Sequence, residues 1–461
     1  MNSLLMRSII AGIGDYTMGK ADKKLGLFDS VHLLVGGMIG SAIFSLSGLT
    51  ILSAGPAALI SWVLGALILL AYGLQTAELA SKYPQSGGVF TFPALLLGKN
   101  REQGRLWGWI SAWAYLFGCI AGASFSAIYI GIYLGVAFPV FSSMQVPLAL
   151  LAVLFSGFLN MLRFRITGKT TTFLTLFLGL TLLLFVFSVF GSGQWDASLL
   201  TPFFTQGSGG ATGFLDALPL AMVAYGAIVA LSFLVGEVER PHRTVPKAMA
   251  IAMAVVLFLY LLVLVATLGL VSSSYLKENV GMQYIPLYAA ASFLPGLPFL
   301  PALISISALL ALVTTMIVTM ALAAHTLQAC AGNGILPPFL AKESAKTGSP
   351  IGATVVVVAI TGLFGAFPQL TNILINLGAL CNVIVVAIVC LTVLSSRTQH
   401  PELGEDSFKA PGGRLLPILT LGVLVATYIP SVLGGGWQLW VATLIYYVIG
   451  MAFYARRRSV Q

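Results

Sequence analysis

Charged residues are scarce in this chain of 461 residues: 14 are acidic, 23 are basic, and together they make up 8% of the sequence. An ordinary soluble protein carries about 25%. Cysteine and histidine are also rare, with four of each, and their spacings match no metal or redox motif. Acid–base or metal-dependent catalysis needs paired polar groups, and no such pair shares a helical face within the apolar segments. The composition therefore argues against an enzyme, a metal centre and a cofactor.

In place of charge, the chain has long apolar segments. Runs without any Asp, Glu, Lys or Arg include Ser30–Ala77, Leu106–Leu162 and Asn279–Ala341. A helix needs about 20 apolar residues to cross a bilayer. Dividing the runs at turn signals, such as those at 53–56 and 367–370, predicts twelve membrane spans. The predicted fold class is an all-α membrane protein that crosses the lipid bilayer many times.

The positions of the basic residues support this count. Cytoplasmic loops of membrane proteins collect Lys and Arg. With both termini inside, every Lys and Arg except Lys277 falls in a cytoplasmic segment. We therefore expect a multi-pass protein of the cell (cytoplasmic) membrane with both termini in the cytoplasm. Because the basic residues are spread over all the inner loops, the net charge of +9 does not indicate a nucleic-acid partner.

Glycines interrupt the first apolar segment, where residues 35–44 read VGGMIGSAIF. Glycine costs about 1 kcal/mol relative to alanine inside a helix. Gly40 and Ser41 lie about twelve residues after the predicted start of the span near Asp29, which is close to the bilayer midplane at about 1.5 Å per residue. A span that unwinds there offers N–H groups to an anion and carbonyl groups to a cation without burying a charge. The alternative is close helix packing through Gly36 and Gly40.

Four stretches resemble motifs of the amino acid–polyamine–organocation (APC) transporters. In order, they are VGGMIGSAIFSLSG (35–48), AELASKYPQSGGVFTF (77–92), GEVERPHRTVPKAM (236–249) and AGNGILP (331–337). They follow the order and spacing of the family over about the first 340 residues. The resemblance identifies the chain as a suspected member of this superfamily, of the amino acid permease type.

The resemblance implies a fold of the leucine-transporter type, in which five spans are repeated in inverted orientation and two more follow. The expected divisions are a cytoplasmic segment (1–28), a first repeat with spans 1–5 (29–192), a second repeat with spans 6–10 (213–396), spans 11–12 (413–457) and a cytoplasmic C-terminus (458–461). Spans 1 and 6 are then equivalent, and both are expected to be broken and to face each other.

The resemblance also implies a substrate site at these breaks. N–H groups of span 1 are expected to hold a carboxylate, and carbonyl groups of both breaks an amino group. The expected substrate-binding residues are Met38, Ile39, Gly40, Ser41, Ala42 and Ile43 in span 1, and Tyr225, Gly226, Ala227 and Ile228 in span 6. Since backbone dipoles bind both ends of a zwitterion, no buried acid or base is required.

Residues for coupling and gating are less well defined. In sodium-coupled relatives of this fold, paired hydroxyls of span 8 bind the ion, and Thr314 and Thr315 fall at that level. The alternative is that these hydroxyls bond their own helix. The lysine that some members carry in span 5 falls near Leu178 here, in a run without charge. His325 is a candidate proton-sensitive group, and the alternative is a packed or interfacial histidine. Glu78 is a candidate inner gate that could pair with a loop Arg or Lys, and the alternative is a helix-end charge at the interface.

Together these features predict a secondary active transporter that moves a small neutral amino acid or similar zwitterion by alternating access, coupled to Na⁺, to H⁺ or to neither. Two alternatives stay open: a non-transporting sensor or partner-dependent subunit on the same fold, and a carrier for a polyamine or other organic cation. A cationic substrate is disfavoured because Val229 stands near the position where carriers of basic amino acids often have an acidic residue. A major-facilitator transporter would show a basic motif where this chain has ASKYPQSGG.

Overall fold

The computed structural model describes residues 24–83, 88–162, 168–233, 238–399, 408–434 and 436–458. Helices make up most of these ranges. In chain order they are α1 (Leu27–Met38), α2 (Ser41–Ala54), α3 (Ala58–Lys82), α4 (Gly88–Leu96), α5 (Arg101–Ala137), α6 (Gln145–Met161), α7 (Gly168–Gly191), α8 (Gly213–Val223), α9 (Ala230–Phe233), α10 (Pro241–Leu268), α11 (Ser273–Glu278), α12 (Pro286–Ser292), α13 (Leu300–Gly332), α14 (Ile351–Gly365), α15 (Thr371–Gln399), α16 (Leu415–Gly434) and α17 (Gly436–Arg458).

No β-strand occurs within the described ranges, and the one β-type contact there is a parallel bridge between Leu25 and Val238. The N–H of Glu239 donates to the Leu25 carbonyl at 2.9 Å in this bridge. Most of the predicted N-terminal segment (1–23), the end of the chain (459–461) and parts of two motifs (84–87 and 234–237) lie outside the described residues.

Eight helical stretches among the described residues are long and apolar enough to cross a membrane. The number is nine when α8 and the short helical turns after it count as one bent span. Shorter apolar helices are α1, α14 and the first part of α16. The protein is therefore an all-α, multi-pass membrane protein, as the sequence predicts.

Turn signals in the sequence mark where helices end and begin. Gly55 follows the last residue of α2 and has a φ of +60°, a conformation that favours glycine because a side chain would clash with the backbone. Asn100 precedes α5, and its side chain accepts a hydrogen bond from the N–H of Gln103. Such a cap satisfies one of the N–H groups that the first helical turn leaves free.

The packing of the helices buries most of α2 and more than half of α8, while α1 buries only Ser30, Leu34 and Met38. α8 packs against both α2 and α3, while α10 packs against α1 and α3. On the other side, α5 runs along α13 and α15. The largest fully buried side chains include Trp62 of α3, Tyr133 of α5, Tyr260 of α10 and Tyr225, which follows α8. Ile39 and Gly40 between α1 and α2 are buried, and the interruption after α8 is buried except at Gly226 and Ala227.

Candidate functional site

The first apolar segment is broken at Ile39 and Gly40, between α1 and α2. The N–H of Gly40 donates to the carbonyl of Met38 at 2.7 Å, which turns the chain sharply. A Cβ atom on Gly40 would lie 2.9 Å from Oγ1 of Thr315 in α13. Glycine is therefore the residue that lets this break approach α13 closely.

The helix that follows the break starts inside the protein without a side-chain cap. Its first residues, Ser41, Ala42 and Ile43, are 5%, 7% and 0% exposed. The N–H of Ser41 lies 3.4 Å from Oγ1 of Thr315, and the N–H groups of Ala42 and Ile43 have no acceptor among the described residues. The first N–H groups of a helix lack partners within it, and the helix dipole adds positive potential there. This terminus is suited to an anionic group.

The second break follows α8. The chain passes from Val223 through Ala224 and Tyr225 into a 3₁₀ turn at Gly226–Val229, and the two halves are bent by 44°. The interruption begins at Ala224, one residue before the first of the four residues, Tyr225 to Ile228, that were expected from the sequence. The Tyr225 carbonyl accepts a hydrogen bond from the N–H of Ile228 at 3.0 Å, so this carbonyl already has one donor.

The two breaks lie against each other. A Cβ atom on Gly37 would lie 3.1 Å from Cβ of Ala227. The next residue of the turn, Ile228, lies against α3: a Cβ atom on Gly73 would be 3.0 Å from its Cγ1. Of the ten residues expected to bind substrate, eight are buried, while Ala227 is half-buried and Gly226 is exposed.

Tyr260 of α10, which the sequence analysis did not single out, supports the first break. Its hydroxyl donates to the carbonyl of Met38 at 2.5 Å. Its ring packs edge-on against Trp62 at 5.2 Å, and 5.7 Å from the ring of Tyr225. The Tyr225 hydroxyl is buried without a hydrogen-bond partner among the described residues. The Met38 carbonyl is therefore already bonded to Tyr260 and Gly40, so other carbonyls of the breaks are better placed to receive an amino group.

Tyr133 of α5 makes a similar contact after the break, because its hydroxyl donates to the carbonyl of Phe44 at 2.7 Å. Neither tyrosine belongs to a recognisable motif. A buried Tyr hydroxyl nearly always needs a partner, but the sequence does not say which carbonyl it finds.

The two threonines of α13 have different partners. Thr314 donates within its own helix, to the carbonyls of Leu310 and Ala311 at 2.9 and 3.0 Å. Thr315 instead directs its hydroxyl oxygen toward Gly40 and the Ser41 N–H. Of this pair, Thr315 is the one that contacts the first break.

Glu78, the candidate gate, is fully buried at the C-terminal end of α3. Arg397 of α15 donates to it twice, from Nε to Oε1 at 2.9 Å and from Nη2 to Oε2. The N–H of Ala410 donates to Oε2 at 2.9 Å, and Nζ of Lys82 lies 3.2 Å from Oε1. The carboxylate therefore joins α3, α15 and the segment that leads into α16.

His325 lies on an exposed face of α13. Its Nδ1 is 3.1 Å from Oε1 of Gln328 on the same helix. Among the described residues, no group of three or more His, Cys, Asp or Glu is arranged to hold a metal ion.

Two cavities stand out in the part of the chain that the structure describes. One has a volume of about 50 Å³ and borders Gly226 in the second break. The other, of about 310 Å³, lies between the C-terminal end of α7 and residues 294–297, and neither break lines it. The smaller cavity borders the second break at Gly226 and Val229, and no residue of α1 or α2 lines it.

Comparison with known proteins gives the family. The model of the family described as amino acid permease matches residues 25–453. The branched-chain amino acid permease BcaP of Bacillus subtilis is 26% identical over 452 residues, covering 94% of this chain and 92% of that protein. The methylthioribose transporter of the same organism is 25% identical over an alignment of 485 positions, which covers 100% of this chain and 99% of that protein. The serine/threonine exchanger SteT, also from Bacillus subtilis, is 27% identical over 232 residues, which cover 49% of this chain and 50% of that protein.

These relatives are named as permeases, transporters and an exchanger, so the family confirms that the protein is a transporter of this type and not an enzyme. The family match begins at Leu25, the residue of the bridge to Val238, and continues through both breaks into α17. The chain belongs to the amino acid permease family of the APC superfamily.

Proposed function

We propose that this permease is a secondary active transporter that moves a small neutral amino acid or a similar zwitterion across the cell membrane by alternating access. The observation that carries the proposal is the buried, uncapped N-terminus of α2, where the N–H groups of Ala42 and Ile43 have no acceptor among the described residues. A substrate carboxylate would accept hydrogen bonds from these groups. Its amino group would face the carbonyl ends of α1 and α8, where the helix dipoles are negative.

The charge of the site supports a neutral substrate. No acidic or basic residue occurs at positions 38–43 or 224–229, so a cationic substrate would bring a net charge into an apolar interior without a counter-ion. Such burial is costly. The relatives are named for amino acids and for methylthioribose, so family membership alone does not define the substrate.

For the topology, we propose that the described helices form twelve spans: α1 with α2, then α3, α5, α6, α7, α8 with α9, α10, α13, α14, α15, α16 and α17. Both termini would be cytoplasmic. Each broken span is then the first span of an inverted repeat: span 1 opens the repeat at 29–192, and span 6 opens the repeat at 213–396. The presence of a break in each, at contacting positions, supports this division.

The coupling ion would be Na⁺ or H⁺. For Na⁺, Thr315 is the better-placed hydroxyl of α13, since it already contacts the first break. Some members of the superfamily carry a lysine in span 5, and this chain has Leu178 near that position. A lysine ammonium group therefore does not occupy the place of a sodium ion in span 5.

Uptake by purified protein in liposomes tests the proposal. Radiolabelled neutral amino acids should accumulate inside vesicles, with a rate that depends on a sodium or pH gradient if either ion is coupled. Decarboxylated amines should compete poorly, because they lack the group that α2 holds. Amines that compete as well as the parent amino acids would contradict the carboxylate site, and binding without uptake would favour a sensor.

A further inference from the structure

The start of α5 lies beside the end of α17. Nε1 of Trp109 in α5 donates to the carbonyl of Gly450 in α17 at 3.1 Å. Closer to the start of α5, the carbonyl of Glu102 accepts a hydrogen bond of 3.2 Å from the hydroxyl of Tyr454. The two helices therefore run in opposite directions, and the first turn of α5 is next to the last turns of α17.

Positive charge collects where these two helix ends meet. Residues 99–103 and 453–458 contain one acidic residue, Glu102, and five basic residues that we call the basic cluster: Lys99, Arg101, Arg456, Arg457 and Arg458. Lys99, Arg101 and Arg456 are exposed. With the proposed topology, this end of both helices faces the cytoplasm. The two helix ends thus form a basic surface at the inner side of the membrane.

Next to the basic cluster, α17 presents an apolar surface that no other helix covers in the described part of the chain. Of the eight stretches there that could cross a membrane, the one in α17 is the least buried inside the protein. Its exposed apolar side chains include Leu444, Ile445, Val448 and Ile449. Trp107 of α5 is also exposed, and tryptophan is enriched where a membrane helix meets the lipid headgroups. An apolar surface that ends in basic residues matches the two parts of an anionic phospholipid.

The charge of this surface favours a lipid over a second copy of the chain. Two copies that met through α17 in a symmetric dimer would place the same surface patch of each copy in contact. Their basic clusters would then lie close together on one side of the bilayer, and like charges brought together in an interface oppose association. A negative headgroup is instead attracted to basic residues at the cytoplasmic ends of membrane helices.

We propose that the basic cluster and the exposed face of α17 bind an anionic phospholipid of the cytoplasmic leaflet. The headgroup phosphate accepts charge-assisted hydrogen bonds from Lys99, Arg101 and Arg456, and the acyl chains lie along the apolar face of α17. α17 packs against α5, α15 and α16, which carry neither break. The inference rests on the proposed topology and is independent of the transported substrate.

The test is a titration of the purified full-length protein with short-chain phosphatidylglycerol in detergent, followed by its melting temperature. Phosphatidylglycerol should raise the melting temperature. Phosphatidylcholine should not, because its headgroup has no net charge, and inorganic phosphate should not, because it has no acyl chains. Arg101→Gln combined with Arg456→Gln should weaken the apparent affinity for phosphatidylglycerol about 25-fold, since each basic residue near an anionic headgroup contributes about fivefold.

The matched control is Lys342→Gln combined with Lys346→Gln. Both lysines are exposed in the segment between α13 and α14, so this variant removes the same number of charges from the same proposed side of the membrane and leaves the basic cluster intact. Its affinity for phosphatidylglycerol should equal that of the parent. The melting temperatures of both double variants without lipid should match the parent, which shows that both are folded.

Three results would overturn the proposal. Equal losses of affinity in the two double variants would show that the total charge of the inner surface attracts the lipid and that α5 and α17 form no site. Equal effects of phosphatidylglycerol and phosphatidylcholine on the parent would show that the headgroup charge is not recognised. If light scattering finds a dimer of the parent that Ile445→Trp dissociates, a second copy of the chain covers α17. Each result leaves the proposed transport function standing, because uptake is measured separately.

Discussion

The hydroxyl of Tyr260 donates to the carbonyl oxygen of Met38 over 2.5 Å, and this bond joins α10 to the last residue of α1. Met38 is the last residue before the first break, so its carbonyl has no helical donor four residues later. The Tyr260 hydroxyl supplies a donor from another helix. We therefore regard Tyr260 as a residue that positions the broken backbone.

Tyr260→Phe should raise the KM for uptake several-fold and lower stability by about 1 kcal/mol, because the buried Met38 carbonyl loses one of its two donors and keeps the Gly40 N–H. The matched control is Tyr446→Phe in α17, which removes a tyrosine bond to the Trp113 carbonyl at the same distance of 2.5 Å but away from the break. Melting curves and uptake kinetics of both variants check this. Equal effects of the two substitutions on KM would show that Tyr260 contributes to stability alone.

Ala42→Val should abolish uptake while leaving the protein folded, because Ala42 lies in the first turn of α2 where a carboxylate would approach the backbone. Ala42→Gly removes bulk at the same position and should retain uptake and admit larger substrates. Uptake and ligand affinity per folded molecule are the measurements. If the segment only packs helices, Ala42→Val will lower the melting temperature and leave that affinity unchanged.

Sodium should increase substrate affinity through Thr315 and not through Thr314. Thr315 faces the first break, whereas Thr314 donates to carbonyls of its own helix. Binding measured in sodium and in choline should show a sodium effect for the parent and for Thr314→Val, and none for Thr315→Val. Equal affinity of the parent in both salts would remove the sodium site and favour proton coupling, exchange or facilitated diffusion.

Arg397→Met should destabilise the protein far more than Lys82→Met. Arg397 donates to both oxygens of the buried Glu78 carboxylate, while Lys82 makes a single contact at 3.2 Å. Breaking a buried ion pair costs about 3 to 5 kcal/mol because a charge is left without its partner. Thermal unfolding of the two single variants measures the difference. Similar melting temperatures would mean that Lys82 and the Ala410 N–H can hold the carboxylate without Arg397.

The position of the first break could be predicted because its cause is local. Glycine weakens a helix wherever it stands, and Gly36, Gly37 and Gly40 lie within one and a half turns. The second break was expected at Tyr225 to Ile228 and begins one residue earlier, at Ala224. Its contacts with α1 and α3, through Ala227 and Ile228, join distant parts of the chain and are not contained in the local sequence.

The supporting contacts could not be predicted because each joins residues far apart in the chain. Tyr260 and Met38 are 222 positions apart, and Glu78 and Arg397 are 319 apart. Within an apolar helix, a tyrosine that holds a break looks the same as one that only packs. Thr314 and Thr315 point in different directions, and which of them faces the first break depends on the rotation of α13 about its axis. Two adjacent threonines in a sequence do not reveal that rotation.

The bridge between Leu25 and Val238 has a mechanical consequence for the broken helices. It ties the chain just before α1 to the chain just before α10, while Gly37 and Ala227 hold the same two chain segments together at the breaks. α1 therefore has a contact with the second half of the chain near each of its ends. A movement that carries Leu25 away from Glu239 must break the hydrogen bond between them.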